Sequence, residues 1–181
     1  IHVKFKETNA TLQQETLGSL GVNLIYGAYF YADNPRILIE SLYDDISLDR
    51  LEIDMIDFSG PGFQYVDNRL MSLQLVKLGM TDAVIFNSEG NNMLPADILY
   101  KKNIFAVRGS FRPVTRVNID MFEHGLDMFN QDNSCDHQNT QILFEITISN
   151  LRASGDIDER DFLDRVDILG TLGYTVMISN F

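Results

Sequence analysis

Cysteine occurs once in the 181 residues, as Cys135, so no disulfide can form within the chain and nothing in it points to an oxidising compartment. Positive charge is scarce: 14 Lys and Arg stand against 26 Asp and Glu, a net charge of −12. That surplus repels a phosphate backbone and argues against a nucleic-acid partner. Long apolar runs are missing as well. The stretch Gly21-Val22-Asn23-Leu24-Ile25-Tyr26 is interrupted at Asn23, far short of the roughly 20 apolar residues a bilayer-crossing helix needs. Strand-like runs alternate with helical ones, unlike the repeated segments of a spanning barrel. The expectation is a cytoplasmic chain with no membrane partner.

With 45% hydrophobic residues the chain can bury one substantial core. Ile1 stands where an initiator methionine is expected, and the last residues, Ser179-Asn180-Phe181, follow a run that reads as a buried strand. Both ends are read as cuts. Residues 1–181 are therefore expected to be one α/β domain, or a piece of a larger one truncated at both ends, with residues 1–48 as a helical lead-in.

Residues 8–30 have helical spacing at Leu17, Leu20 and Leu24, with Thr8 or Asn9 as cap; Gly18, Gly21 and Gly27 either interrupt that helix or mark close packing. Pro35 suits the first position of a second helix. Leu51, Ile53 and Met55 alternate as a strand does, and Asp67 caps a helix that stops near Gly79. Buried runs follow at residues 83–86, 104–107, 142–148 and 174–178, separated by helical spacing at 94–100, 117–129 and 158–172. Strands and helices in alternation give right-handed βαβ units. The pattern predicts an α/β fold, a Rossmann-like three-layer sandwich with a mainly parallel sheet. Ligands in such sheets lie beyond the carboxyl ends of the strands, which nominates residues 57–62, 87–92, 108–112, 149–150 and 179–180 as one edge.

The sharpest local pattern is Gly109-Ser110-Phe111-Arg112-Pro113-Val114-Thr115, between a strand and a helix. It resembles the first motif of the nucleotidyltransferases that adenylylate nicotinate mononucleotide or phosphopantetheine, a Gly-Ser-Phe-x-Pro-x-(His/Thr) turn followed by Gly-His. Glycine permits close approach, and a helix amino end offers free N–H groups to phosphate. By that resemblance Gly109, Ser110 and Thr115 cradle phosphates, Arg108 and Arg112 neutralise them, and Mg2+ accompanies the nucleotide. Val117-Asn118 stand where the family has Gly-His, Arg112 replaces its acidic or amide residue, and its second motif is absent. The other reading is a strand-to-helix turn shaped by Gly and Pro.

A wider resemblance covers nearly the whole chain. Its carriers are Gly21-Val22-Asn23-Leu24-Ile25-Tyr26-Gly27-Ala28, Glu52-Ile53-Asp54-Met55-Ile56-Asp57-Phe58-Ser59-Gly60-Pro61, Val66-Asp67-Asn68-Arg69-Leu70-Met71-Ser72-Leu73-Gln74-Leu75-Val76, and Leu99-Tyr100-Lys101-Lys102 leading into Arg108 and the turn. These segments resemble a family of bacterial cytosolic proteins, longer at both ends, whose members go by nicotinate-nucleotide adenylyltransferase or TonB-dependent receptor. The receptor name conflicts with the α/β pattern, so the resemblance implies relatives without fixing an activity.

Arg69, at a helix start, is a third candidate cation for an anion held with Arg108 and Arg112; the alternative is a capping Asp67 and salt-bridged arginines. Asp54 and Asp57 offer carboxylates for a metal or serve as turn residues. Cys135, His137 and His124 have ligand chemistry without a metal-site spacing, and no metal is expected there. Two functions follow. One is the nucleotide-binding core of a cytosolic enzyme, adenylyltransferase-like, acting on a nucleotide or phosphorylated small molecule; the other is a non-catalytic interaction or assembly module, with a homo-oligomer among its forms.

Overall fold

The computed structural model describes residues 1–131 and 139–181, and the chain divides into two units, Ile1–Asp82 and Ala83–Phe181. In the first, strand β1 (His2–Phe5) runs antiparallel to β2 (Leu51–Met55), with Val3 opposite Ile53 and Phe5 opposite Leu51. Helix α1 (Ala10–Phe30) starts where the Asn9 side chain accepts the backbone N–H groups of Thr11 and Leu12. Helix α2 (Pro35–Ser41) has Asn34 as its cap and proline in its first turn; α3 (Asn68–Lys77) is capped by Asp67. Gly79 follows with φ +71°, a left-handed conformation that favours glycine.

Leu20, Leu38, Ile39, Leu42, Leu51, Ile53 and Leu75 make the core of this unit. Each such side chain contributes about 1.5–3 kcal/mol by leaving water. Gly27 is a close-packing glycine: a Cβ there would lie 2.9 Å from Ser41 Oγ and 3.2 Å from Leu38 Cγ, so α2 could not approach α1 as it does. Among the described residues, nothing lies within 4 Å of that position at Gly18 or Gly21.

The second unit holds β3 (Ala83–Phe86), β4 (Asn92–Met93), α4 (Pro95–Leu99), β5 (Asn103–Arg108), α5 (Arg116–Asn130), β6 (Thr140–Thr147), α6 (Ile148–Leu151), α7 (Glu159–Thr171) and β7 (Val176–Ser179). Its five-stranded sheet has the order β4-β3-β7-β6-β5. Strands β5, β6 and β7 are parallel neighbours, whereas β3 pairs antiparallel with both β7 and β4.

The α/β class holds, but the sheet is mixed rather than mainly parallel. Register puts Phe86, Val176, Phe144 and Val107 in one row, with Phe105 two residues from Val107 on the same face. Phe122 of α5 packs on Phe105 and Phe144, and Phe162 of α7 packs on Phe86. Both long helices of this unit therefore cover the same face. The cause is topological: β5, β6 and β7 succeed one another in one direction, and two right-handed crossovers made in one direction leave their helices on one side. Helices on both faces need a reversal of strand order.

Two further expectations change. The run at β2 does not join the main sheet; it pairs with β1, which lies inside the stretch read as a helical lead-in. Counting strand-like runs cannot say which ones pair, and His2-Val3-Lys4-Phe5 is too short and too polar to stand out. Because β3 is antiparallel to β7, its carboxyl end and residues 87–92 lie at the opposite edge from those of β5, β6 and β7. Residues 57–62 belong to the other unit. No helix among the described residues is long and apolar enough to cross a membrane.

Candidate functional site

The parallel trio β5, β6 and β7 ends at Arg108, Thr147 and Ser179, which brings three of the five nominated segments to one edge. Glu145, two residues before the end of β6, is buried there. Its carboxylate accepts from Arg108 Nε at 2.8 Å, from Arg108 Nη2 at 3.0 Å and from Ser179 Oγ at 2.6 Å. Burial pushes the Glu145 carboxyl up, but the hydrogen bonds from Arg108 and Ser179 outweigh it and hold the group below its ordinary value. The Arg108 guanidinium also lies 5.4 Å from the centre of the Phe181 ring. Charge on Arg108 is thus already balanced at short range.

The turn after β5 is pinned from inside. Gly109 N–H donates to the Glu145 carbonyl at 3.1 Å. Phe111 adopts φ 46°, a region rarely used by bulky residues, and its buried ring packs on Phe144 at 5.4 Å. That ring folds back over the preceding glycine: a Cβ on Gly109 would lie 3.0 Å from Phe111 Cζ. Glycine at 109 thus gives room to this side chain, on the side where a Cβ would stand. The Arg112–Pro113 peptide bond is cis.

Ser110 contributes its carbonyl, which accepts from Arg165 Nη1 at 3.0 Å, and Arg165 also donates to Asp161. Arg112 Nε lies 2.9 Å from the other oxygen of that carboxylate, and its Nη1 donates to Ser154 Oγ. Thr115 caps α5 in a reciprocal box: its hydroxyl accepts the Asn118 N–H, and its own N–H donates to Asn118 Oδ1 at 2.9 Å. Asn118, which replaces the histidine of the resembled motif, therefore has a structural task.

Arg69 lies in the first unit, where Nε and Nη2 hold Asp67 at 3.0 and 2.7 Å. It does not belong to the sheet edge that carries Arg108 and Arg112. Each of the three candidate cations is engaged by a carboxylate, as in the salt-bridged alternative the sequence offers; Asp67 is legible there as the cap beside Arg69, whereas Glu145 and Asp161 are not nominated as partners. Glu145 carried a legible signal, a lone charge within the apolar run Ile142-Leu143-Phe144-Glu145-Ile146. Asp54 is buried, with His2 Nδ1 at 2.5 Å and Lys4 Nζ at 2.8 Å; Asp57 is exposed. His124 lies on α5, while Cys135 and His137 fall outside the described residues. Among the described residues no group of three or more His, Cys, Asp or Glu is placed to hold a metal ion.

Where the turn enters α5, a groove of 610 Å³ opens between α5 and α7. Val114, Ile119, Ile168 and Leu172 give it an apolar lining, and Asp120, Glu123 and Asp167 set three carboxylates on it against the single guanidinium of Arg116. Ile168 and Leu172 are 40% and 49% exposed, although they are four residues apart on a helix whose other stripe is buried. Sequence spacing ran both stripes together, so the groove went unnoticed. No family model matches the chain, and it has no match among the curated proteins or the solved structures.

Proposed function

We propose that this chain is a non-catalytic interaction module whose groove between α5 and α7 receives an amphipathic segment of a partner protein, apolar along one side and flanked by Lys or Arg. The observation that carries this reading is the groove's chemistry, an apolar floor with three carboxylates to one guanidinium. Concave, mainly apolar surfaces with a few charged groups are the usual form of binding sites, and amphipathic helices are read by such grooves. Phosphate fits poorly beside that surplus of negative charge. The engagement of Arg108 by Glu145, Arg112 by Asp161 and Arg69 by Asp67 supports the same reading, since an anion has to displace a carboxylate from each.

The test is fluorescence titration with a labelled helical peptide bearing Leu on one side and Lys on the other, beside a Glu-for-Lys version. Tight binding of the Lys peptide alone, weakened at least tenfold in Ile168→Asp and Leu172→Asp, is the expected result. Equal binding of both peptides, or indifference to both substitutions, overturns it.

A second reading keeps the Rossmann-like nucleotide core with adenylyltransferase-like chemistry, because the turn of Gly109, Ser110, Arg112 and Thr115 follows a parallel strand at its carboxyl end and opens α5. Mg2+ would then accompany the nucleotide in a cytosolic enzyme. Calorimetry with Mg-ATP decides it: binding by wild type, weakened by about 1.5–3 kcal/mol in Arg112→Ala, favours this reading.

A further inference from the structure

Helix α1 is apolar on both sides. No ionisable side chain other than tyrosine occurs between Glu15 and Asp33. One side, with Leu20, Gly27 and the partly buried Leu24, faces the core of its unit. The opposite side carries Val22, Ile25 and Tyr29 at 67%, 74% and 80% exposure, with Tyr26 and Phe30 beside them. A helix apolar all round is normally buried all round, and a monomer has no use for a stripe of this size in water.

The exposed residues are ordered. Gly18, Val22, Ile25 and Tyr29 follow one another at intervals of four, three and four, the 3.5-residue seam by which helices pair side by side. Among the described residues nothing comes within 4 Å of a Cβ position at Gly18, so another backbone can approach there. Taking roughly 150–250 Å² for each aromatic side chain and somewhat less for each aliphatic one, the five exposed residues present on the order of 700 Å². That is about the area each partner gives to a standard-size interface.

We infer that this face of α1 is a self-association surface, covered in solution by α1 of a second copy of the chain about a two-fold axis. A patch that meets itself must bring no like charges together, and this one has none, although the chain as a whole carries −12. An anionic lipid surface would be repelled by that net charge. Glu15, Asp44 and Asp45 line a groove beside Gly18 and Val22, which puts the nearest repulsion at the rim. Added salt should therefore tighten the dimer, by screening those carboxylates.

Sedimentation equilibrium over a hundredfold range of concentration, at low and high salt, reads the association directly. Wild type should dimerise, more tightly at high salt, and Ile25→Glu should be monomeric with an unchanged circular-dichroism spectrum. If Ile25→Glu alters the spectrum, Tyr29→Ser, which only truncates an exposed ring, takes its place and should weaken dimerisation at least tenfold. A monomeric wild type, or a dimer indifferent to both substitutions, overturns the inference. So does binding to phosphatidylcholine vesicles that the same substitutions abolish, since the occupant is then a lipid surface. Binding of the Lys-Leu peptide at the α5–α7 groove, which belongs to the other unit, should be unaffected by these variants, and that keeps the two tests separate.

Discussion

Glu145 is the side chain on which the most local order depends. Its carboxylate organises Arg108 from β5 and Ser179 from β7, so one buried charge ties three strands together at their carboxyl ends. Because its pKa in the folded chain lies below the ordinary glutamate value, its contribution is complete above that ordinary value, about 4.3, and is lost as pH falls through the lowered one. Asp67 is shifted in the same direction, its burial outweighed by the hydrogen bonds to Arg69. Urea denaturation between about pH 6 and pH 3 should show stability falling with acid. Glu145→Gln should be less stable at neutral pH by about 1.5–3 kcal/mol and should show a shallower acid decline. An acid limb identical to that of wild type would remove Glu145 from this account.

At the scale of elements, each residue of the turn between β5 and α5 has a packing or capping task of its own. Glycine is needed at 109 because the Phe111 ring lies over it, threonine at 115 because α5 needs a cap, and asparagine at 118 to complete that cap. Gly109→Ala forces a methyl group against a ring already held by Phe144, and the overpacking should cost about 1–3 kcal/mol. A double-mutant cycle with Phe111→Leu measures this: the two effects should be strongly non-additive, with the alanine cheaper once the ring is gone. Additive effects would return Gly109 to the role the resemblance gave it. The residues of this turn were legible in the sequence as a strand-to-helix turn shaped by Gly and Pro, though Thr115 was not read as its cap. Their partners were not, because Asp161 and Arg165 approach from a helix some fifty residues further on.

For the molecule as a whole, the separation into Ile1–Asp82 and Ala83–Phe181 assigns each unit its own sheet. Every strand of the five-stranded sheet, and both helices covering it, come from the second unit. Residues 83–181 expressed alone should therefore fold, with a cooperative thermal transition and helix and strand signals in circular dichroism. A spectrum of unfolded chain from that piece would mean that the first unit is required to complete its core.

The sequence by itself determined most of the elements and of their limits, the short β1, β4 and α6 excepted. Periodicity, caps and glycine stops are local effects, which is why Asn9, Pro35, Asp67, Thr115 and Asp158 each begin the helix their chemistry favours. It also determined the shortage of cations that bears on every functional reading. Only the tertiary structure decided how the strands pair, because an apolar run is equally content beside a parallel or an antiparallel neighbour. It alone decided which carboxylates Arg108 and Arg112 face, since Glu145 and Asp161 are distant in sequence. It alone showed that a second apolar stripe of α1 stays exposed, because the spacing of Leu17, Leu20 and Leu24 marks one side while Val22, Ile25 and Tyr29 are as apolar as the core.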